Sequence, residues 1–456
     1  MRTVGAAALG VLCSLAVASG AEFRANDYGA KGDGATLDTA AIQKAIDAAS
    51  KARGAVVVFQ PGVYLTGSLF LKSGMSLRVD EGVEIRGSQD LAAYPMMATR
   101  VAGIEMSWPA ALINVYEQSD VSITGKGAVD GDGKVFWDSY RELREDYDSY
   151  GLRWAADYDC RRPRLIQIYK SANVKLQGLT LKRSGFWTVH ICYSRKVTVD
   201  GIAIRNNIGG MGPSTDGVDI DSSSRVVVMH CDISDNDDAI CLKSGRDADG
   251  LRVNRPAENI LIHDNTIRHG AAAITFGSET SGGIRNVTAY NLHVVPDAAL
   301  KAVSAGILFK STHTRGGTIQ NVDIHDVDID GVTTAIGIDF DWNPSYSNAK
   351  IPEGIANPPD YWRILATAVP PDKGVPHLRK VRISNLKGTA TKQAFSVKSF
   401  KDSPLADFVF KRLDIAAGTA GTIRYASHWR FLDVTIRAKD GSKLEVKDST
   451  QVTGLE

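Results

Sequence analysis

Three aspartates in the middle of the chain have the types and the spacing needed to cleave a glycosidic bond. Asp216 lies in the run Thr-Asp-Gly-Val-Asp at 215–219, and Asp237 and Asp238 stand together about one short repeat later. If the two runs occupy successive turns of a coil, equivalent positions lie about 4.8 Å apart and the carboxyl groups share one patch of surface. Glycoside hydrolysis needs one carboxyl group to protonate the leaving oxygen and another to activate water. The spacing therefore indicates a hydrolytic site made of carboxylates.

A repeat of short strands must position these aspartates. Each unit is a pair of short alternating strands joined by a polar or glycine corner, and units begin at residues 174, 197, 226, 260, 322 and 381. One unit cannot bury its own apolar side, but stacked units bury it against each other. The pattern predicts an all-β chain folded as a right-handed parallel β-helix. The alternative, a β-sandwich, predicts hairpin turns such as Asn-Gly, which are scarce here.

One helix is predicted near the amino terminus, between a capping residue at Asp38 and a glycine at Gly54. We expect this helix to cover the exposed apolar end of the stack. A proline-rich stretch at 343–376 is predicted to be a long loop over one face, and the alternation that resumes near Phe408 is expected to close the far end. The apolar face of the helix consists of Ala41, Ile42, Ala45, Ile46 and Ala49.

The overall charge argues against some classes of partner. The 456 residues carry 53 Lys and Arg against 52 Asp and Glu, a formal net charge of +1. Because no global field attracts nucleic acid or an anionic membrane, neither is an expected partner. An acidic substrate must therefore be recognised by local cations.

Residues 1–20 are typical of a signal peptide. Arg2 supplies a positive start, the apolar run at 4–17 is too short to span a bilayer, and small residues at 18–20 fit a cleavage site. We expect export to the periplasm or the medium, with 21–456 forming one catalytic β-helix domain.

The cysteines leave two redox states open. Outside the predicted signal peptide none of them is spaced as a CxxC pair, so a zinc site is not expected, and we expect no other metal or cofactor. Export permits disulfide bonds, whereas the strand-like surroundings of most of these residues are typical of buried free thiols. The residues concerned are Cys160, Cys192, Cys231 and Cys241.

Several motifs occur together in the order typical of one enzyme family. The runs 215–219 and 237–238, with their spacing, form the most specific combination, and the segments 27–34, 184–190 and 277–283 accompany them. On these residues the mature chain resembles, over most of its length, a divergent member of the polygalacturonase family of glycoside hydrolases, family 28.

The resemblance implies an inverting hydrolase in which Asp237 is the general acid and Asp216 and Asp238 position and activate the water. Because like charges in one groove do not all stay ionised, one carboxyl group is expected to have a raised pKa. Inverting enzymes separate acid and base by roughly 6.5–9.5 Å to leave room for water. The implied substrate is a pectic polysaccharide or oligosaccharide with α-linked galacturonic acid, cleaved by a monomer.

Two departures from the family pattern lie close to these aspartates. Ser214 replaces the asparagine that stands two residues before the first catalytic aspartate, and Ala271 falls where the family has histidine. His269 lies two residues before that position, on the same face of a strand, and is a candidate substitute at the substrate.

A third departure concerns the cations that hold the substrate carboxylate. The Arg-Ile-Lys triplet of the family appears as Leu308-Phe309-Lys310, so Lys310 is retained and the arginine is lost. A planar guanidinium is not replaced by leucine, although Arg315 in the following loop is a candidate second contact. A neutral sugar at this point, as in rhamnogalacturonan, is the alternative substrate.

The same residues allow other interpretations. A non-catalytic polysaccharide-binding β-helix and a calcium-dependent lyase both fit the fold class. Asp219 and Asp221 are expected to be structural turn residues. An aromatic insert either walls one end of the groove, which favours attack on chain ends, or packs onto the coil. Its residues are Tyr147, Tyr150, Trp154 and Tyr158.

Overall fold

The computed structural model describes residues 20–455, which fold as a parallel β-helix. Each strand of a 31-stranded sheet pairs in parallel with the equivalent strand one coil later, and a single antiparallel hairpin stands apart from it. The predicted fold class is therefore confirmed. The predicted signal peptide lies outside the described residues, apart from Gly20.

The strands lengthen towards the carboxyl end, where single strands run through the corners of the coil. The first coils contain Glu22–Arg24, Asp33–Leu37, Val56–Val58, Gly62–Thr66, Leu69–Phe70, Ser76–Arg78, Val83–Gly87, Ile113–Tyr116, Ser119–Thr124 and Ala128–Asp130. The central coils contain Ile166–Tyr169, Ala172–Gln177, Thr180–Lys182, Val189–Cys192, Arg195–Asp200, Ala203–Arg205, Val218–Asp221, Ser224–Met229, Asp232–Ser234, Asp238–Lys243, Ala257–His269 and Ala272–Phe276. The last coils contain Ile284–Val294, Ala305–Lys310, Thr318–Asp330, Thr334–Asp339, His377–Lys398, Leu405–Arg424, Ala426–Ala438, Glu445–Lys447 and Thr450–Thr453.

Apolar side chains from successive coils stack inside the helix. Val218, Ile240, Ile274 and Ile307 are register partners in four neighbouring coils, and all four are fully buried. This continuous stack supplies the burial that a single repeat lacks. Because side chains alternate along a strand, the residues between these positions point outward.

The amino-terminal helix, Thr39–Ala49, covers the first coil as predicted, because its apolar face joins the main core. Asp38 precedes it, but its side chain accepts no hydrogen bond from the helix amides. Its φ of −86° and ψ of 1° differ from the extended conformation of a capping residue. Its carboxylate instead accepts hydrogen bonds from the backbone amides of Lys31 (2.7 Å) and Gly32 (3.0 Å).

Insertions cover the outer face of the central coils. The aromatic insert forms two helices, Lys134–Ser149 and Arg153–Asp159, and the proline-rich stretch contains three short ones. Trp154 and Tyr158 pack in a second apolar cluster, whereas Tyr150 is 70% exposed. The remaining elements are the hairpin Met96–Val101 and Ile104–Pro109, the α-helices Asp247–Val253, Pro344–Ser347, Asp360–Leu365 and Pro371–Gly374, and the 3₁₀ helices Ala25–Tyr28 and Leu91–Ala93.

Two further properties concern the residues 20–455. The four cysteines in this range are free and buried, which decides between the two redox states left open by the sequence. No helix in this range is long and apolar enough to cross a membrane.

Candidate active site

A cavity of about 210 Å³ opens on the outer face of the central coils, beneath the insertions. Its floor is made of outward-pointing side chains from successive strands, and its walls come from the aromatic insert and the proline-rich stretch. The ionisable floor residues are Asp216, Asp237, Asp238, Lys243, Glu279 and Lys310.

The three predicted aspartates all line this cavity. Asp219 pairs with Cys241 in the parallel ladder, so the same register places Asp216 beside Asp238. The side-chain ligand atoms of Asp216, Asp238 and Cys241 all lie within 4.8 Å of one another. Asp237 is half-buried, and its Oδ1 accepts a hydrogen bond of 3.1 Å from the backbone amide of Asp238. Two carboxylates are thus close enough to hold one water between them, with a third facing the same space.

Asp238 is held in its ionised form. Burial opposes its ionisation, but the positive charges of Lys310 and Lys243 lower its pKa below the ordinary value. Lys310 Nζ lies 2.7 Å from Asp238 Oδ2, and Thr275 Oγ1 donates to Oδ1 at 2.9 Å. Because both donors stabilise the charged form, Asp238 is suited to accept a proton from water.

Asp237 and Asp216, in contrast, tend to keep their protons. Burial, followed by repulsion from Asp216 and Asp238, raises the pKa of Asp237 well above its ordinary value. Burial and the neighbouring Asp219 do the same to the pKa of Asp216, against the attraction of Lys243. The trio therefore retains a proton when Asp238 is charged, which is the distribution that acid–base cleavage requires.

Lys243 and Glu279 belong to this site but do not figure in the sequence-based prediction. Lys243 Nζ lies 3.4 Å from Asp216, 3.5 Å from Asp219 and 3.4 Å from Glu279. Burial raises the pKa of Glu279, but the charges of Lys243 and Arg315 reverse this effect and lower it overall. Lys243 could have been predicted from the sequence. Ile240 and Leu242 point inward, so the alternation of the strand turns Lys243 outward beside the aspartates.

Similarity to known proteins identifies the family of this chain. The model of glycosyl hydrolases family 28 matches residues 53–357. The chain belongs to this family. A second model, rhamnogalacturonase A/epimerase, pectate lyase-like, matches residues 23–78.

Two polygalacturonase-type relatives are 28–31% identical to this chain over the aligned residues. A probable polygalacturonase of Vitis vinifera is 31% identical over 65% of this chain and 58% of its own length. An exo-poly-alpha-D-galacturonosidase of Dickeya chrysanthemi is 28% identical over 71% of this chain and 59% of its own length. The chain thus matches less than two thirds of the length of both relatives.

Solved structures share the fold of this chain. A hyperthermoactive exopolygalacturonase of Thermotoga maritima is 26% identical, with a TM-score of 0.72 over 95% of this chain and 92% of that one. A polygalacturonase of Erwinia carotovora shares the fold, with a TM-score of 0.65, 21% identity and 99% of each chain covered.

Two predicted substrate contacts do not reach the cavity of this family 28 chain. His269 is buried, and its Nδ1 contacts the backbone oxygen of Asp235 and, at 3.2 Å, Asn207 Nδ2. Arg315 is fully buried, its Nε donates to the Ser278 carbonyl at 3.1 Å, and its Nη1 pairs with an aspartate of the neighbouring helix. Both side chains therefore support the wall rather than line it.

The position at which the resemblance implies an arginine is apolar. Leu308 is 9% exposed and packs with Ala272, Ala305 and the half-buried Trp342. Lys310 Nζ lies 4.5 Å from the centre of the Trp342 ring, so the retained lysine is bounded by an aromatic face and by Asp238.

A different arginine lines the cavity. Arg153, from the second insert helix, lies over the Tyr346 ring at 5.2 Å. Its Nη1 lies 2.6 Å from Asp157 Oδ2, while its Nε is buried without a hydrogen-bond partner. Asp157 Oδ1 in turn lies 3.4 Å from Ser214 Oγ, which places Arg153 near the coil that carries Asp216.

Proposed function

We propose that this family 28 enzyme hydrolyses a glycosidic bond by inversion. Asp237 donates a proton to the leaving oxygen, while a water held by Asp216 and Asp238 attacks the anomeric carbon and gives up its proton to Asp238. The observation that carries this proposal is that the pKa values of two carboxyl groups in one cavity are shifted in opposite directions. Lys310 keeps Asp238 charged, whereas burial raises the pKa of Asp237.

The proposed substrate is a pectic chain containing α-linked galacturonic acid. The names of the Vitis and Dickeya relatives support this class. Positively charged groups in the cavity are also consistent with an acidic sugar, since a carboxylate is bound best by charge-assisted hydrogen bonds. We further propose that the enzyme is exported as a monomer whose residues 21–456 form one catalytic domain. Nucleic acid and membranes are not among its proposed partners.

Exo action is the proposed mode of attack. The insert helices place Arg144, Arg153 and Asp157 around one side of the cavity. A wall at the end of a binding groove admits the end of a polysaccharide but obstructs a chain that continues through it. The names of the Dickeya and Thermotoga relatives, both exo-acting, support this reading.

The products of polygalacturonate digestion test this proposal. We expect a single small product from the first minutes, with a slow fall in viscosity. A ladder of oligosaccharides with a rapid fall in viscosity would establish internal cleavage instead. No reducing sugar from a folded protein would favour the non-catalytic binding β-helix.

Rhamnogalacturonan is the second candidate substrate. Two observations favour it, the apolar surroundings of Leu308 and the match of residues 23–78 to the rhamnogalacturonase A/epimerase model. Rhamnose carries no carboxylate and would need no second cation at this point. Faster reducing-sugar release from rhamnogalacturonan than from polygalacturonate would select this alternative.

Arg153 is proposed to bind a uronate carboxylate in place of the lost family arginine. We expect Arg153→Gln to raise KM for digalacturonate by about 10- to 100-fold, because a hydrogen bond to a charged group contributes about 1.5–3 kcal/mol. KM for the methyl-esterified disaccharide should change little, since the ester is neutral. Steady-state kinetics on the two substrates measure this difference.

The matched control for this prediction is Arg363→Gln. Arg363 is an exposed arginine that pairs with Asp360 outside the cavity, and its loss should leave both KM values unchanged. An equal loss on the charged and the neutral disaccharide in Arg153→Gln would show that Arg153 only supports the wall.

A further inference from the structure

A second cluster of chemically capable side chains lies at a corner of the coil, outside the cavity. His230, His263 and Asp264, here called the corner cluster, present ligand atoms that all lie within 4.8 Å of one another. Met229 and His263 are register partners, so His230 stands opposite Asp264 in the next coil. Both corner residues have a left-handed backbone, with φ of 57° and 55°. The regular stacking of the coils thus brings two imidazoles and one carboxylate together.

The preceding coil orients one of these imidazoles. Asp200 Oδ1 lies 2.9 Å from His230 Nδ1, and Gln177 Nε2 holds the other oxygen of Asp200 at 2.8 Å. With its proton on Nδ1, His230 presents the lone pair of Nε2 towards Asp264 Oδ2, 3.8 Å away. A carboxylate that holds the far nitrogen of a histidine is the usual support of a metal-binding imidazole.

The other two members of the cluster are also held in place. The His263 ring stacks on Tyr290, with centroids 5.0 Å apart and an interplanar angle of 8°. Its Nδ1 lies 2.5 Å from Asp264 Oδ2, and Asn291 donates a hydrogen bond to Oδ1 of the same aspartate. The His230 side chain is 55% exposed, so the cluster is open to ions from solvent.

We propose that the corner cluster binds a divalent transition-metal ion of the Zn²⁺ type. His230 Nε2, His263 Nδ1 and Asp264 Oδ2 are the ligands, and water completes a four-coordinate shell. Two imidazoles with one carboxylate suit zinc, copper or nickel, whereas calcium and magnesium prefer oxygen ligands alone. The ion replaces the hydrogen bond between His263 Nδ1 and Asp264 Oδ2, the imidazole proton is then carried on His263 Nε2, and the ion links two neighbouring coils.

Titration of Zn²⁺ into the full chain, prepared without a polyhistidine tag, tests this site. At about pH 7.5 we expect calorimetry to show binding at one site. His230→Asn should abolish this binding. Asp200→Asn should weaken it by about 10- to 100-fold, the usual effect of removing the group that orients a ligand.

The chain contains a matched control. His325 and Asp326 form the same local pair, with Nδ1 and Oδ2 2.7 Å apart, and His325 also stacks on Tyr290. Tyr290 and His325 are register partners, so Asp326 faces Asn291 rather than a histidine. His325→Asn should therefore bind Zn²⁺ as the wild type does.

Two outcomes would overturn the proposal. The first is the absence of Zn²⁺ binding by the wild-type chain, and the second is binding by His230→Asn with wild-type affinity, which would place the ion elsewhere, for example at the carboxylates of the cavity. Hydrolytic activity should be the same in all these variants, because none of the substituted residues lines the cavity. The result is therefore independent of the proposed function.

Discussion

Asp237→Asn is expected to lower kcat by between about 10² and 10⁴-fold, the usual contribution of a general acid. Asparagine keeps the shape of the side chain and its hydrogen bond from the Asp238 amide, but it has no acidic proton to donate. The fold and KM should change little, since the carboxyl group is replaced by a group of equal size. Release of reducing ends from polygalacturonate, with circular dichroism as a check on folding, measures the effect.

The control for this substitution is Asp232→Asn. Asp232 lies on the strand before Asp237 and is held at the surface by Arg268 and Arg205, outside the cavity. Its variant should keep wild-type turnover. An active Asp237→Asn enzyme would remove Asp237 from the role of acid.

Lys310→Gln is expected to move the whole pH profile of kcat/KM upward and to lower its maximum. Lys310 lowers the pKa of Asp238 through direct contact and also lowers that of Asp237. Without this charge, Asp238 needs a higher pH to become ionised, so the acid limb of the profile moves to higher pH. Asp237 retains its proton to a higher pH, so the alkaline limb also moves to higher pH.

Lys398→Gln is the matched control for the pH profile. Lys398 also pairs with an aspartate, Asp341, at 2.6 Å, but it is exposed and lies outside the cavity. Its variant should reproduce the wild-type limbs. An acid limb that stays in place in Lys310→Gln would show that Lys310 does not set the pKa of Asp238 and contributes only by binding the substrate.

The convergence of the aspartates could be predicted from the sequence because a parallel coil has a simple register. Apolar alternation fixes which residues point inward, and the repeat length places the two aspartate runs on successive coils. The exact register, which sets Asp216 beside Asp238 rather than beside Asp237, comes from the structure. Lys310 could be placed at the site by the same reasoning. Its ion pair with Asp238 could not, because the direction of a long side chain depends on what packs around it.

Local features explain why His269 and Arg315 lie away from the cavity. The prediction for His269 assumed an uninterrupted strand, but the register shifts there, with Ile233 opposite Ile267 and Ser234 opposite His269. Such a bulge changes the face to which the following side chains point. Arg315 lies in a loop and Arg153 in a helical insert, so the strand alternation that places the aspartates does not indicate which of these arginines lines the cavity.

The anomeric configuration of the first product tests the central claim most directly. Proton NMR spectra recorded in the first minutes of digestion, before mutarotation, distinguish the two anomers of the new reducing end. Inversion of an α-linked substrate by Asp237, Asp216 and Asp238 predicts that the β-anomer appears first and then equilibrates. Initial appearance of the α-anomer would contradict inversion, and an unsaturated product without a new hydrolytic reducing end would contradict hydrolysis itself.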